Sequence, residues 1–248
     1  MSLNSRQREK LTQFISITGM QDAPARKYLN SKNWDLELAV DEFYNSGAQM
    51  PRDQPAPTNQ KNIESLFARY KGSNPNQIES EGIEHFCRDL GIEPMDVVIL
   101  VISKYFNAAT MGVYTKEEFC SGMKALGCDD VNKLRQKIPE LRRELNNPQA
   151  FKEVYNYVFT FSRDPGVRNL GYETAVALWR LLLTEKYPIV NRWIEFLERR
   201  EKKHDVMKDT WEMFLDFAII LEREGLQGYD PNGAWPVLID EFVEYLRR

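Results

Sequence analysis

Apolar residues recur at three- and four-residue spacing along most of the chain, and regular strands are hard to find. Stacked amphipathic helices satisfy that pattern, so the chain reads as all-α. The segment Pro51-Arg-Asp-Gln-Pro-Ala-Pro-Thr-Asn-Gln60 carries three prolines and almost no side chain that could pack, as an extended linker would. The resulting division is a small head over 1–48, a linker over 49–61 and a body over 62–248. With 42% hydrophobic and 28% charged side chains in 248 residues, one good core and a small second module can both form.

In the head, Leu11, Phe14, Ile15 and Thr18 make one helical stripe, Ala25, Tyr28 and Leu29 a second, and Leu36, Ala39, Val40, Phe43 and Tyr44 a third. Breaks fall at Gly19 and Asn33, and Trp34–Tyr44 is expected as the last helix. Three helices in so short a span resemble a ubiquitin-associated (UBA) domain. That resemblance implies that Gly19 and Met20 in the first loop, with the end of the third helix, contact the apolar patch of ubiquitin. Phe14, Leu29, Ala39 and Val40 read as core instead, whereas a methionine in a tight loop is exposed and adaptable.

The body opens with Ile63, Leu66, Phe67 and Tyr70, a loop, and then Ile83, Phe86, Cys87 and Leu90, which resembles an EF-hand. Calcium needs oxygen ligands at loop positions 1, 3, 5, 9 and 12. With Ile78 as the central apolar residue those positions hold Lys71, Ser73, Pro75, Glu79 and Gly82, which rules out such a site. A second loop, aligned on Val113, offers Phe106, Ala108, Thr110, Tyr114 and Glu117, a single carboxylate. Both loops are expected to be structural and metal-free, and no cofactor is implied.

Enzyme readings fail on inventory: GxxxxGK[ST], GxGxxG after a strand, HExxH and GxSxG are all absent from the sequence. Cys87, Cys120 and Cys128 have apolar helical neighbours rather than a base, and they lack the CxxC spacing of a zinc site or redox motif. Asp129-Asp130 reads as the start of a helix over Val131-Asn-Lys-Leu134. The basic cluster Arg199-Arg200 with Lys202-Lys203 is too short for nucleic acid in a chain of pI near 5.5. No apolar run approaches the roughly 18 residues of a membrane span, and Met1-Ser-Leu-Asn resembles no signal peptide, so nucleus and cytoplasm are the expected locations.

Charge points elsewhere. Between Asp205 and Glu244 stand ten carboxylates against Lys208 and Arg223, although the whole chain carries only −4. A field so concentrated attracts and orients a basic protein partner. Asp209 with Glu212 three residues on reads as a capping pair opening a helix that buries Phe214, Leu215, Ala218 and Ile219. In the last helix Trp235, Leu238, Ile239, Phe242 and Leu246 form the buried stripe, with Pro236 in the first turn and Asp240, Glu241 and Glu244 left outside.

Asp209-Thr-Trp211 followed by Tyr229-Asp-Pro-Asn-Gly-Ala-Trp-Pro-Val-Leu-Ile-Asp240 resembles the PONY (DCUN1) domain of the defective-in-cullin-neddylation family. Phe106-Asn-Ala-Ala-Thr110, Glu118–Met123, Leu126-Gly-Cys128, Phe151-Lys152 and Asn191-Arg-Trp193 extend the match over nearly all of 62–248. The resemblance implies a scaffold-type ligase component with no catalytic residue of its own. It implies that Asp209, Ala234 and Asp240 bind the cullin C-terminal winged-helix domain. It also implies an apolar pocket for the acetylated N-terminal methionine of the neddylation-conjugating enzyme, walled by Ile83, Ile99, Ile102, Phe106, Tyr114, Phe161, Leu178 and Leu181. A pocket lined by helices and a helical core read alike, so both readings of these eight stand. Met111 and Gly112 depart from the glutamine and cysteine often found in relatives. A rival reading makes the chain a ubiquitin-binding adaptor whose UBA-like head is the active module.

Overall fold

The computed structural model describes residues 4–18, 22–45 and 58–247 and forms two compact units, Met1–Ala56 and Pro57–Arg248. In the first, α1 (Ser5–Thr18), α2 (Asp22–Ser31) and α3 (Leu36–Asn45) enclose Leu11, Phe14, Ala25, Leu29 and Ala39. Asn4 and Gln7 cap α1 reciprocally: the Gln7 amide donates to Asn4 Oδ1 at 2.8 Å and the Asn4 amide to Gln7 Oε1 at 3.1 Å. Trp34 lies in the turn before α3 rather than in it. Asn33 and Trp34 both take positive φ, 52° and 64°, and Asp35 accepts the Leu38 amide in their place as cap. Gly19 and Met20, and the side chains of Phe43 and Tyr44, lie outside the described residues.

The second unit begins with α4 (Gln60–Tyr70), capped by Asn59, then β1 (Gln77–Ile78) and α5 (Ser80–Leu90). Next come α6 (Val97–Phe106), β2 (Tyr114–Thr115) and α7 (Lys116–Ala125). β1 and β2 pair antiparallel, Ile78 opposite Tyr114 and Gln77 opposite Thr115. That register corrects the alignment of the second loop by one residue. Tyr114, at 1% exposure, is the central apolar residue, and Val113 is only half-buried. Adjacent apolar side chains made the two choices look alike in sequence, and only strand pairing separates them.

With this register Glu118 occupies the last ligand position of the second loop. Its Oε1 accepts the Ala109 amide at 2.9 Å and its Oε2 the Thr115 amide at 2.7 Å. Thr115 returns a bond to the Glu118 amide, completing a capping box that starts α7. In the first loop the corresponding residue is Gly82, where an added Cβ would lie 2.0 Å from the Tyr70 carbonyl oxygen. Glycine lets α5 cross the end of α4 at backbone distance. At Gly122 of α7 an added Cβ would lie 2.0 Å from a ring carbon of Phe106 and 2.6 Å from its Cα, so α7 too needs glycine to approach α6. α6 buries every residue from Val98 to Ser103 together with Phe106, and it packs against α7, α8 (Val131–Glu144) and α9 (Pro148–Phe161) as the axis of the core.

α8 starts where expected. Asp130 caps it by accepting the Lys133 amide at 2.9 Å. Asp129 is buried, takes the Asn59 amide at 3.0 Å and pairs with Lys133, so it ties the start of α4 to α8. α10 (Tyr172–Leu183), α11 (Ile189–Arg199), α12 (Lys208–Glu224) and α13 (Val237–Leu246) complete the unit. Trp179, Trp193 and Trp211, all at 0% exposure, join them. Trp179 stacks on Trp211 at 5.3 Å and Trp193 on Phe214 at 4.4 Å, while Tyr155 of α9 stacks on Trp211 at 4.5 Å. Among the described residues no helix is long and apolar enough to cross a membrane.

Candidate functional site

The first turn of α12 is held from below. Trp211 Nε1 donates to the Tyr155 carbonyl at 3.0 Å, and the Tyr155 hydroxyl donates to the Trp211 carbonyl at 2.8 Å. Preceding the helix, Val206 and Leu170 exchange two backbone hydrogen bonds of 2.7 and 2.9 Å, which brings the loop after α9 against the loop after α11. Asp209 therefore stands exposed on a fixed support. It is not the cap: α12 starts two residues earlier than a cap at Asp209 would give, at Lys208, with extended Met207 in the cap position and no side-chain cap bond. Burial of Thr210 and Trp211 and the Val206 bridge set that start, overriding the local capping signal. Asp209 Oδ1 accepts the Thr210 amide at 2.7 Å, and Glu212 lies 3.5 Å from Lys208 instead of closing a box.

After α12 the chain passes through a 3-10 turn, Gly225–Gly228, to Tyr229 and a tight turn. In that turn Asp230 accepts the Asn232 amide at 2.9 Å on its side chain and the Gly233 amide at 3.0 Å on its carbonyl. Ala234 follows, exposed. Trp235 stacks on Tyr229 at 6.1 Å and donates from Nε1 to the Asp230 carbonyl at 3.1 Å, so it belongs to the turn and not to the last helix. Pro236 sits at the cap of α13, just before its first turn. Ile239, Phe242 and Val243 are buried, and Leu238 and Leu246 are half-buried.

Tyr229 donates its hydroxyl to Asp240 Oδ1 at 2.7 Å. Burial first, and that carboxylate second, push the Tyr229 phenol up to about 12, so it stays a donor at neutral pH. Asp240 and Glu241 are half-buried and Glu244 is exposed. Arg200 neutralises Glu241 in an ion pair, whereas neither Asp209 nor Asp240 has an ion-pair partner among the described residues.

A cleft of about 460 Å³ unites these elements: Asp209 and Met207 face Trp235, Pro236, Val237 and Leu238 across it, with Arg200, Lys202 and His204 at its side. Asp240 does not line it but is anchored behind Tyr229. Val237 at 71% and Met207 at 53% exposure give the cleft an apolar lip of the kind that marks a protein contact. The basic residues are a contribution that the acidic reading of this end did not include. Their signal was the cluster from Arg199 to Lys203, set aside above as too short for nucleic acid.

The eight expected pocket residues come from α5, α6, β2, α9 and α10 and meet in one continuous core. Ile99, Ile102, Phe106, Tyr114, Phe161 and Leu178 are buried, and Ile83 and Leu181 are half-buried. Tyr114 and Ser103 share a hydrogen bond of 2.7 Å there. Close by, the Met111 amide donates to the Phe161 carbonyl at 2.9 Å and the Met111 side chain is 42% exposed. All three cysteines are buried; burial pushes the Cys87 and Cys128 thiols up to about 11 and raises that of Cys120 as well. A nucleophilic cysteine requires the opposite shift.

A family model described as "Cullin binding" matches residues 133–245, and a UBA-like domain model matches residues 5–50. The chain is 33% identical over 270 residues to "Defective in cullin neddylation protein 1" of Caenorhabditis elegans, covering 99% of this chain and 91% of that protein. This chain belongs to the defective-in-cullin-neddylation family. It is also 40% identical over 178 residues to human "DCN1-like protein 5", covering 71% of this chain and 74% of that one. The cullin-binding match takes in the α12 first turn, the Tyr229–Trp235 turn and most of α13, which together line part of the cleft.

Proposed function

We propose that this member of the family promotes cullin neddylation as a scaffold: it binds the cullin winged-helix domain through Asp209, Ala234 and Asp240, and the acetylated N-terminus of the neddylation-conjugating enzyme through its apolar core. One observation carries the cullin half. Among the described residues Asp209 and Asp240 are carboxylates without an ion-pair partner, each fixed by one hydrogen bond, in elements that share a cleft, with the small exposed Ala234 in the turn between them. Fixed anions around a small residue engage basic side chains while the partner backbone approaches closely.

The conjugating enzyme's half rests on the apolar walls named above. Acetylation removes a charged amine whose burial in such walls would cost several kcal/mol. With its cysteines protonated and enclosed, the scaffold supplies no nucleophile. Its rate effect is to hold the thioester of the conjugating enzyme near the acceptor lysine, through proximity and raised effective concentration.

Titration of the cullin winged-helix domain into the full chain tests this reading. Asp240→Asn keeps an acceptor for Tyr229 and weakens binding about tenfold, and Asp240→Lys abolishes it. Wild-type affinity in Asp240→Lys would show the cullin assignment to be wrong.

A further inference from the structure

Met207 and Asp209 line a second cleft as well, of about 750 Å³, whose other walls include Arg163, Arg168, Asn169 and Lys208. Its charge is opposite to that of Asp209. Among the described residues Lys208 pairs with Glu212 alone, at 3.5 Å on the open surface. Arg163 donates to the Arg168 carbonyl at 2.8 Å, and its buried Nε has no hydrogen-bond partner. Among the described residues neither arginine is ion-paired. Among the described residues Asp209, Glu212 and the Phe159 ring, whose centre lies 5.5 Å from the Arg163 guanidinium, balance these three cations only in part.

We propose that this basic cleft receives a carboxylate-bearing segment of the same protein partner whose cation meets Asp209, so that the surface recognises a base and an acid side by side. The inference rests on the cullin reading above and deepens it. Continuity is the first argument: Asp209 and Met207 belong to both clefts, so a chain seated on Asp209 overhangs the arginines. The second is charge. A free anion entering the cleft is repelled by Asp209, whereas an anion joined to the cation that neutralises Asp209 meets only attraction. A uniformly basic partner is rejected at Arg163 and Arg168, which makes the pair of clefts a device for specificity.

Arg168 is the residue to change, because its side chain is exposed and the bond from Arg163 goes to its backbone carbonyl. Affinity of the full chain for the cullin winged-helix domain should fall roughly twofold in Arg168→Ala and about five- to tenfold in Arg168→Glu, with unchanged thermal melting. The deficit should shrink at 1 M salt, where the screening length is about 3 Å. If Arg168→Glu binds as tightly as wild type, or more tightly, while Asp240→Lys is inactive, the acidic-segment inference is overturned and the cullin reading stands. If Asp240→Lys binds normally, the cullin reading fails and takes this one with it.

Discussion

Removing the oxygen of Tyr155 tests how the docking turn is supported. The hydroxyl donates to the Trp211 carbonyl at 2.8 Å and accepts from Trp179 Nε1 at 2.9 Å, in a site where all three residues are at 0% exposure. Tyr155→Phe keeps the ring and its 4.5 Å stack on Trp211, so packing is nearly conserved and the loss is polar. The indole N–H of Trp179 is then left buried without a partner, at about 1–3 kcal/mol, and the Trp211 carbonyl, which keeps its helix bond, adds roughly 1. A sum of about 2–4 kcal/mol corresponds to a lowering of Tm on the order of 4–16 °C for a unit of this size. Urea unfolding followed by tryptophan fluorescence and by far-ultraviolet circular dichroism should show a lower midpoint at constant slope. Trp179→Phe removes the same donor, so the double variant should cost clearly less than the two singles added. A loss under about 0.5 kcal/mol in Tyr155→Phe would refute the reasoning, because it would mean that the hydroxyl is not the partner of both groups.

Gly82→Ala should destabilise the second unit by about 1–3 kcal/mol, since its Cβ would fall 2.0 Å from the Tyr70 carbonyl oxygen; an unchanged denaturation midpoint would mean that α4 and α5 are not that close. The Lys133 ammonium, and next the Asn59 amide, hold the Asp129 carboxyl below the usual aspartate range, so its contribution is complete above that range and is lost as pH falls through the lowered value. Wild type should accordingly exceed Asp129→Asn in urea midpoint at neutral pH, and the gap should close below the usual aspartate range; a gap independent of pH would contradict the assignment.

Much of this architecture is legible in the residues because burial at helical spacing is a local property. Leu11, Phe14, Ala25, Leu29 and Ala39 lie inside as their spacing demands, and Asp130 caps α8 as its position before Val131 demands. What escaped depends on partners far along the chain. The cap of α12 moves from Asp209 to Met207 because Val206 pairs with Leu170, and no window around Asp209 contains Leu170. Tyr229 reaches Asp240 only through the turn between them, and Arg163 and Arg168 reach Asp209 only through folding. The loop register slipped between Val113 and Tyr114 because each is apolar and only one faces Ile78. Core and pocket walls carry the same side chains, so Ile99 or Leu178 reads identically in either role.

Glu118 gives the second loop a property that a true EF-hand lacks. In a sensor of that type the closing carboxylate waits for an ion, and the helix pair changes with the ion's concentration. Here the carboxylate grips the Ala109 and Thr115 amides of its own loop, with one oxygen on each. Those two bonds fasten the loop after α6 to the start of α7 with the chain's own atoms. A carboxylate spent in this way acts as a rivet between two helices of the unit, in the place where a sensor would keep a hinge.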